Sequence, residues 1–282
     1  MAVVTDSTAS LDPDRADRAG VGVVALRVVL NGRSRLEPEV PPAEVAQALR
    51  AGRRVTTSQP SPEAIYAMYT ALAEAGHDGV VAVHLSARIS GTYAAAELAA
   101  RAARIPVVVV DSETLAYGTG FAALAAVEAA QRGGGVQEVA VAARRRAAAS
   151  TTFFYVSDLD HLRRGGRFGS AAAVIGSALA VKSLLTMDQG EIRPYERVRT
   201  ESKALNRLAE LGLGALARAA AASDHVDVAV HHLDNPAGAA RLADRLRGRV
   251  STPSDIVVAE LGAVLGGHVG PGTLGLVVSP RV

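Results

Sequence analysis

Short runs of valine set the frame for this chain. Val3 to Thr5, Val80 to His84 and Val107 to Val110 are almost uninterrupted in apolar side chains, and the last two lead into Ala-rich stretches of helical period, Thr92 to Arg104 and Gly118 to Gln131. A strand with one wet face alternates apolar and polar residues, whereas a strand that is apolar throughout must be covered on both faces. Strands of this kind alternating with helices predict a mostly parallel sheet with helices on either side. Ligands of such sheets bind beyond the carboxyl ends of the strands, so the turns after the valine runs are the places to look for binding groups. Those turns carry small hydroxyls: Asp6 to Thr8, Ser90-Gly91-Thr92 and Asp111 to Thr114, with a further one, TTSQPSP (Thr56 to Pro62), after Val55.

The turn Ser90-Gly91-Thr92 opens an Ala-rich helix. A helix start has backbone N–H groups without intrahelical partners and a positive partial charge, so these three residues can receive a phosphate or a carboxylate. Alternatively Ser90 is simply the N-cap of that helix. In TTSQPSPE the cap is already assigned: Ser61 caps, Pro62 suits the first helical position and Glu63 complements the dipole. Thr57 and Ser58 are thereby left with hydroxyls that can point into a cleft.

Elsewhere in the first half, Val21 to Leu30 reads as one strand ended by the turn Asn31-Gly32, Pro41 and Pro42 start a helix through Leu49, and Val136 to Ala148 is a helix leading to a boundary near Ser150. The second half has a different rhythm. Phe153 to Val156 is strand-like, Leu184 to Met187 and Glu191 to Val198 form a hairpin about Asp188-Gln189-Gly190, and helices over Glu201 to Ala220 and Pro236 to Arg247 alternate with strands Val226 to His231 and Ile256 to Glu260. The expected fold is α/β in two domains with a cleft between them. Residues 1–150 form a mostly parallel α/β domain, and residues 151–282 an α+β domain with a mixed or antiparallel sheet. The 282 residues suffice for two cores.

Several chemistries are disfavoured by what the sequence lacks. Cysteine is absent, which removes disulfides, thiolate metal sites and cysteine nucleophiles. The seven histidines include no HExxH pair, and adjacent His231 and His232 face opposite ways on a strand, so no metal is expected. Neither Ser90, Ser170 nor Ser177 lies in a nucleophile elbow, and neither a dinucleotide fingerprint nor a Walker motif occurs. A formal net charge of +2 argues against nucleic acid as a partner. Arg144 to Arg146 reads as a solvated helix end. The start lacks an export signal, and the longest weakly polar stretch, Ser170 to Leu185, is shorter than the ~20 residues of a membrane span, so a cytoplasmic protein is expected.

Two residues in glycine-rich surroundings draw attention. His268 lies in GGHVGPG, read as a loop in which the imidazole is the only large side chain, and it is either structural or a donor facing a ligand. Arg167 in GGRFG either reaches an anion or caps a neighbouring helix.

Taken in order, VVTDSTASL, TTSQPSPE, LSARISGTY, VVVDSETLAYGTG, LDHLRRGGRFG, DQGEIRPYERVRT and LGAVLGGHVGPGTLG resemble the DegV family, which includes the fatty-acid-binding subunit of bacterial fatty acid kinase. The resemblance spans nearly the whole chain. It implies a long-chain fatty acid buried between two α/β domains, with its carboxylate near the hydroxyl turns of the first and the last segment of the chain returning toward that domain. Carried over onto this sequence, Thr57 and Ser90 donate to the carboxylate, with Ser58, Gly91 and Thr92 beside them, His268 close to it and Arg167 in the same network. Arg199 falls where the family is thought to meet the kinase subunit. The implied activity is that of a carrier rather than an enzyme: it presents the carboxyl group to a separate ATP-using subunit and holds the resulting acyl-phosphate. It needs no cofactor and leaves room for transient contact with a membrane surface. The small residues from Gly169 to Ala180 are either walls of the acyl tunnel or sites of close helix packing. The competing reading is an enzyme with Ser90 as nucleophile and His268 as base, acting on an acyl or phosphoryl group.

Overall fold

A computed structural model describes residues 1–168, 182–247 and 256–282. The small-residue segment from Gly169 to Ala180, including Ser170 and Ser177, lies outside the described residues.

The valine runs form the parallel sheet that their composition predicts. Strands β1 (Ala2–Asp6), β2 (Val21–Val24), β6 (Val80–His84) and β7 (Val107–Asp111) are ordered β2-β1-β6-β7, every pair parallel. Between β1 and β2 lies helix α1 (Pro13–Ala19). Alternate residues of each strand face opposite ways. Val3, Val81, Val83 and Val110 pack against helices α5 (Tyr117–Gln131) and α6 (Val136–Ala149). Val4, Val80, Ala82 and Val109 pack against α3 (Pro62–Glu74) and α4 (Thr92–Ala102).

The stretch Val21 to Leu30, expected as one strand, is two. After β2 the chain leaves the parallel sheet at Ala25-Leu26 and forms β3 (Arg27–Leu30), the centre of a three-stranded antiparallel sheet between β4 (Arg33–Leu36) and β5 (Val55–Ser58). The break is fixed by the Ser7 hydroxyl, which accepts from the Leu26 N–H at 3.0 Å. An apolar run has no feature that marks a change of sheet, because both halves are buried. Helix α2 (Pro42–Arg50) connects β4 to β5. The TTSQPSP segment is correspondingly not all turn, since Thr56, Thr57 and Ser58 pair with Val29, Val28 and Arg27 in β5.

The second half is built on a six-stranded sheet, ordered β10-β9-β8-β13-β11-β12. Its strands are β8 (Thr151–Val156), β9 (Lys182–Asp188), β10 (Glu191–Val198), β11 (Val226–His232), β12 (Ile256–Glu260) and β13 (Leu274–Pro280). Only β11 and β12 run parallel, so the sheet is mixed. The expected hairpin joins β9 to β10: Gln189 and Gly190 both have positive φ, 49° and 79°, the backbone that a two-residue hairpin turn requires. Helices α8 (Glu201–Ala222) and α9 (Pro236–Arg247) bury one face of this sheet. Against the other face pack Leu162 of α7 (Asp160–Arg164) and Leu265 and Val269 of α10 (Ala263–Val269).

Helix α5 is apolar all round, and such a helix needs cover on every side. It finds that cover between the sheets: Ala122, Ala123 and Ala126 meet the parallel sheet, while Tyr117 and Phe121 meet Ala229 and Val277 of the mixed one. Beside it the expectation of a solvated Arg144 to Arg146 fails at Arg146, which is 4% exposed. Arg146 shares a face of α6 with buried Val139 and Ala143, so helical period carries it inward to hydrogen-bond the Asp227 carboxylate of β11.

Candidate functional site

Three segments converge on one cavity. The first is β5, whose Thr57 and Ser58 stand at the edge of the three-stranded sheet. The second is the turn after β6, where Ser90 N–H bonds to the Ser86 carbonyl at 3.1 Å in a single helical turn that precedes α4. The third is α10. The glycine-rich segment expected as a loop is in fact helical from Ala263 to Val269, so His268 is a half-buried helix residue. Glycine's poor helix propensity concealed this, and tertiary contacts supply what propensity lacks. The buried Glu37 carboxylate accepts from the Val264 N–H at 2.8 Å at the helix start. At Gly267 a Cβ would lie 2.9 Å from Val55 Cγ1, so the bare backbone lets α10 lie directly on β5. That contact brings His268 Nε2 within 2.8 Å of Thr57 Oγ1.

Arg167 closes the ring. Its Nε donates to the Ile89 carbonyl at 3.1 Å and Nη1 to the Gly165 carbonyl, fixing it between the Ser90 turn and the segment after α7. A Cβ on Gly165 would come within 2.5 Å of His268 Nδ1, so glycine there gives the imidazole its place. The resulting cavity is about 230 Å³. Its polar groups are Thr57, Ser58, Gln59, Ser90, Arg167 and His268, and the remainder of its wall is aliphatic, including Leu26, Leu85, Leu162, Ile192 and Val264. No carboxylate among the described residues lines it. A wall that combines a guanidinium, hydroxyls and an imidazole with hydrocarbon suits an amphipathic anion.

Of the residues singled out in the sequence, Thr57, Ser58, Ser90, Arg167 and His268 meet at this cavity. Thr92 is fully buried and bonded to Ser90, with 2.9 Å between their hydroxyl oxygens, and Gly91 lies beneath the Gln59 side chain. Ser90 is not the helix cap, a position that Gly91 occupies. Arg199 is exposed in the bend after β10. The Asp6 and Asp111 turns do not reach the cavity. Asp6 is fully buried and its carboxylate accepts from the Thr8 and Leu85 N–H groups and the Thr8 hydroxyl, while pairing with His84 Nδ1 at 3.0 Å. Asp111 accepts from Ala87 N–H at 3.2 Å. These turns brace the loop that presents Ser90. Gln59 is a mouth residue that hydroxyl-based reasoning passed over; its position directly after Thr57-Ser58 was the available signal.

Hydrogen-bond capacity decides what the site can offer. A hydroxyl has one proton and accepts with its lone pairs. When His268 carries its proton on Nε2 and donates to Thr57, the Thr57 proton is free for a ligand; when Thr92 donates to Ser90, the same holds for Ser90. His268 is neutral at physiological pH: burial, with the Arg167 charge beside it adding, pushes its pKa down to about 4. The arrangement does not make a nucleophile and base of Ser90 and His268, because His268 is engaged with Thr57 and Ser90 with Thr92.

The buried His231 is likewise pushed down to about 4, by burial first and then by neighbouring His232. Both imidazoles thus titrate near pH 6.5 when unfolded and near 4 when folded. The unfolded chain binds more protons in that window, so stability from these groups is present above about pH 6.5 and is lost as pH falls toward 4. Buried Glu37, raised by desolvation, titrates with the opposite sign. A His231→Gln variant isolates the histidine contribution: its urea midpoint falls less steeply between pH 6.5 and 4.5 than that of the unmodified protein, and equal slopes would remove His231 from the account.

No helix among the described residues is long and apolar enough to cross a membrane. Residues 1–281 match the family model described as "Uncharacterised protein, DegV family". A DegV domain-containing protein of Streptomyces coelicolor is 52% identical over 282 residues, covering 100% of this chain and 99% of the relative. Among solved structures, a fatty-acid-binding DegV family protein from Thermus thermophilus is 33% identical with a TM-score of 0.89, covering 99% of both chains. DegV of Bacillus subtilis, described as a fatty acid binding protein, is 32% identical with a TM-score of 0.90, covering 99% of this chain and 98% of that one. Whole-length matches in both sequence and fold place this chain in the DegV family.

Proposed function

We propose that this protein binds a long-chain fatty acid in the cavity, with the carboxylate at Thr57, Ser58, Ser90, His268 and Arg167 and the acyl chain along the aliphatic wall. The observation that carries the reading is the make-up of the cavity wall: among the described residues it combines hydroxyl, imidazole and guanidinium groups with aliphatic side chains and includes no carboxylate. The fatty-acid binding described for the Thermus and Bacillus proteins supports it. Burial of the chain is worth roughly 0.8 kcal/mol per methylene, so about 14 methylenes give on the order of 11 kcal/mol before ordering costs, and the tail dominates affinity. The head group sets orientation.

The same reading extends to a carrier role beside a separate kinase subunit. Hydroxyls and a neutral imidazole supply most of the donors, and the one cation, Arg167, is already engaged with the Ile89 and Gly165 carbonyls, so the carboxylate is held without a full bidentate ion pair and one oxygen keeps its nucleophilicity. That oxygen bonds to the γ-phosphorus of ATP on the partner as the bond from phosphorus to the β–γ bridging oxygen breaks, leaving ADP and an acyl-phosphate. The protein itself supplies no ATP site in this scheme, and residues 1–150 and 151–282 act as two units that hold the ligand between them, in the reducing interior of the cell.

Exposed Arg199 is assigned to the contact with the kinase. Arg199→Ala therefore leaves the dissociation constant for palmitate within about twofold, while slowing partner-dependent phosphorylation about tenfold or more, in keeping with a charged contact at a protein interface. Loss of palmitate binding in this variant would move Arg199 into the fold or the pocket. The fatty-acid reading itself is tested by stripping the protein of bound lipid and titrating it with palmitate in calorimetry, where saturable binding at one per chain is expected and no heat above dilution from the stripped, folded protein contradicts it.

A further inference from the structure

A second cleft, about 590 Å³, shares Thr57, Arg167 and His268 with the fatty-acid cavity, so these three side chains form a wall common to both. Its other polar side chains are Arg53 and Arg54, which follow α2, and His161 and Arg164 of α7, with Thr56. No aspartate or glutamate among the described residues lines it. Among the described residues, none of Arg53, Arg54, Arg164 and Arg167 pairs with a carboxylate, although the nearby Arg50 and Arg163 both do, with Asp234 and Asp160. Arg88 with Glu191 and Arg207 with Glu196 are further arginines of this chain that meet an acid.

Four guanidinium groups around one concavity repel one another, and a cleft lined by a single sign of charge concentrates the opposite ion. Arginine in particular presents a planar fork of donors that matches phosphate oxygens two at a time. A phosphoryl group carries roughly 1.5 to 2 negative charges at neutral pH and three acceptor oxygens, more than a carboxylate offers and more than one arginine satisfies.

We propose that this arginine cleft is a phosphoryl subsite, which receives the phosphoryl group of an acyl-phosphate whose chain lies in the adjoining cavity. The inference rests on the fatty-acid reading above, since it takes the carboxyl carbon to sit at the shared Thr57–His268 wall. In the acyl-phosphate the phosphorus is bonded through a carboxyl oxygen, one bond beyond the carboxylate itself, so an oxygen directed past the shared side chains carries it into the arginine cleft. The cleft makes the carrier selective for product over free fatty acid. It also stations cations beside the carboxyl oxygen where a phosphoryl group arrives.

The test compares palmitate with hexadecyl phosphate, a hydrolysis-resistant stand-in for the acyl-phosphate, on the unmodified protein and on an Arg53→Gln/Arg54→Gln/Arg164→Gln variant. Arg167 is left intact because it belongs to the carboxylate site. Hexadecyl phosphate affinity falls at least about tenfold in the triple variant while palmitate affinity stays within about twofold, as expected when charge-assisted bonds to phosphate oxygens are removed. Single Arg54→Gln and Arg164→Gln variants move in the same direction, and their thermal unfolding matches that of the unmodified protein because both side chains are exposed. Equal hexadecyl phosphate affinity in all proteins, or parallel losses for both ligands, would overturn the subsite. A third arm adds inorganic phosphate to palmitate-loaded protein: arginine-dependent binding there, with none for hexadecyl phosphate, would assign the cleft to a free anion instead. An unmodified protein that binds neither palmitate nor hexadecyl phosphate would remove the fatty-acid reading and this inference together, whereas palmitate binding without arginine-dependent phosphate preference removes the inference alone.

Discussion

Replacing Thr57 with Val and Ser90 with Ala in one protein weakens palmitate binding by about 2–4 kcal/mol, roughly 30- to 700-fold. The magnitude follows from leaving a desolvated carboxylate short of two donors. With His268 protonated at Nε2 and Thr92 donating to Ser90, each hydroxyl is braced from behind, Thr57 by His268 at 2.8 Å and Ser90 by Thr92 at 2.9 Å, and holds its proton toward the ligand without further ordering entropy on binding. The single variants should each cost about 1–3 kcal/mol. Their sum need not equal the double, since both hydroxyls address one carboxylate. A control ligand sharpens the reading: hexadecanol, which keeps the chain and lacks the charge, should bind the double variant and the unmodified protein nearly alike. Unchanged palmitate affinity in the double variant would place the carboxylate elsewhere.

Asp227→Ala should lower the unfolding free energy by about 3–5 kcal/mol, the largest stability effect of any single change considered. Asp227 of β11 receives the guanidinium of buried Arg146 from α6, and that of Arg281, whose Nε and Nη2 each lie 2.9 Å from a carboxylate oxygen. Removing the carboxylate leaves Arg146 buried, charged and facing a second cation. Truncating the half-exposed Arg281 instead should cost only about 0–1 kcal/mol, because solvent screens it. Urea denaturation measures both. The pair also joins the helix layer of the parallel sheet to the mixed sheet, so its loss is felt where α5 is held between them. A loss below about 1 kcal/mol for Asp227→Ala would show that Arg146 finds water or another partner.

Much of this architecture is legible in the chain because burial on both faces leaves a mark that no other environment does. Val80 to His84 and Val107 to Val110 read as covered parallel strands from composition alone, and Gln189-Gly190 marks its hairpin turn directly. The switch of sheets at Ala25-Leu26 is not legible, since the residues on either side are equally apolar and the cause, the Ser7 hydroxyl, is 19 positions away. Arg146 misleads for a related reason: three consecutive arginines resemble a solvated helix end, and only the distant Asp227 accounts for the buried one.

At the site the balance is similar. The small-hydroxyl turns pointed to Thr57 and Ser90, yet nothing local distinguishes these from the Asp6 and Asp111 turns, which brace the site and do not line it. The glycines around His268 mark it in the sequence but suggest a loop where the chain is helical. Gly267 lets α10 approach Val55, and Gly165 makes room for the imidazole, a matter of packing between segments more than 100 residues apart. The basic cleft was invisible in the sequence, because Arg53 and Arg54 meet Arg164 and Arg167 only after folding.

Occupancy of the cavity by one fatty acid is read out by native mass spectrometry of the purified protein. The account predicts a mass above that of the bare chain by one long-chain fatty acid per protein, released on denaturation and identified by extraction; a protein that is bare, and remains so after incubation with palmitate, would contradict it.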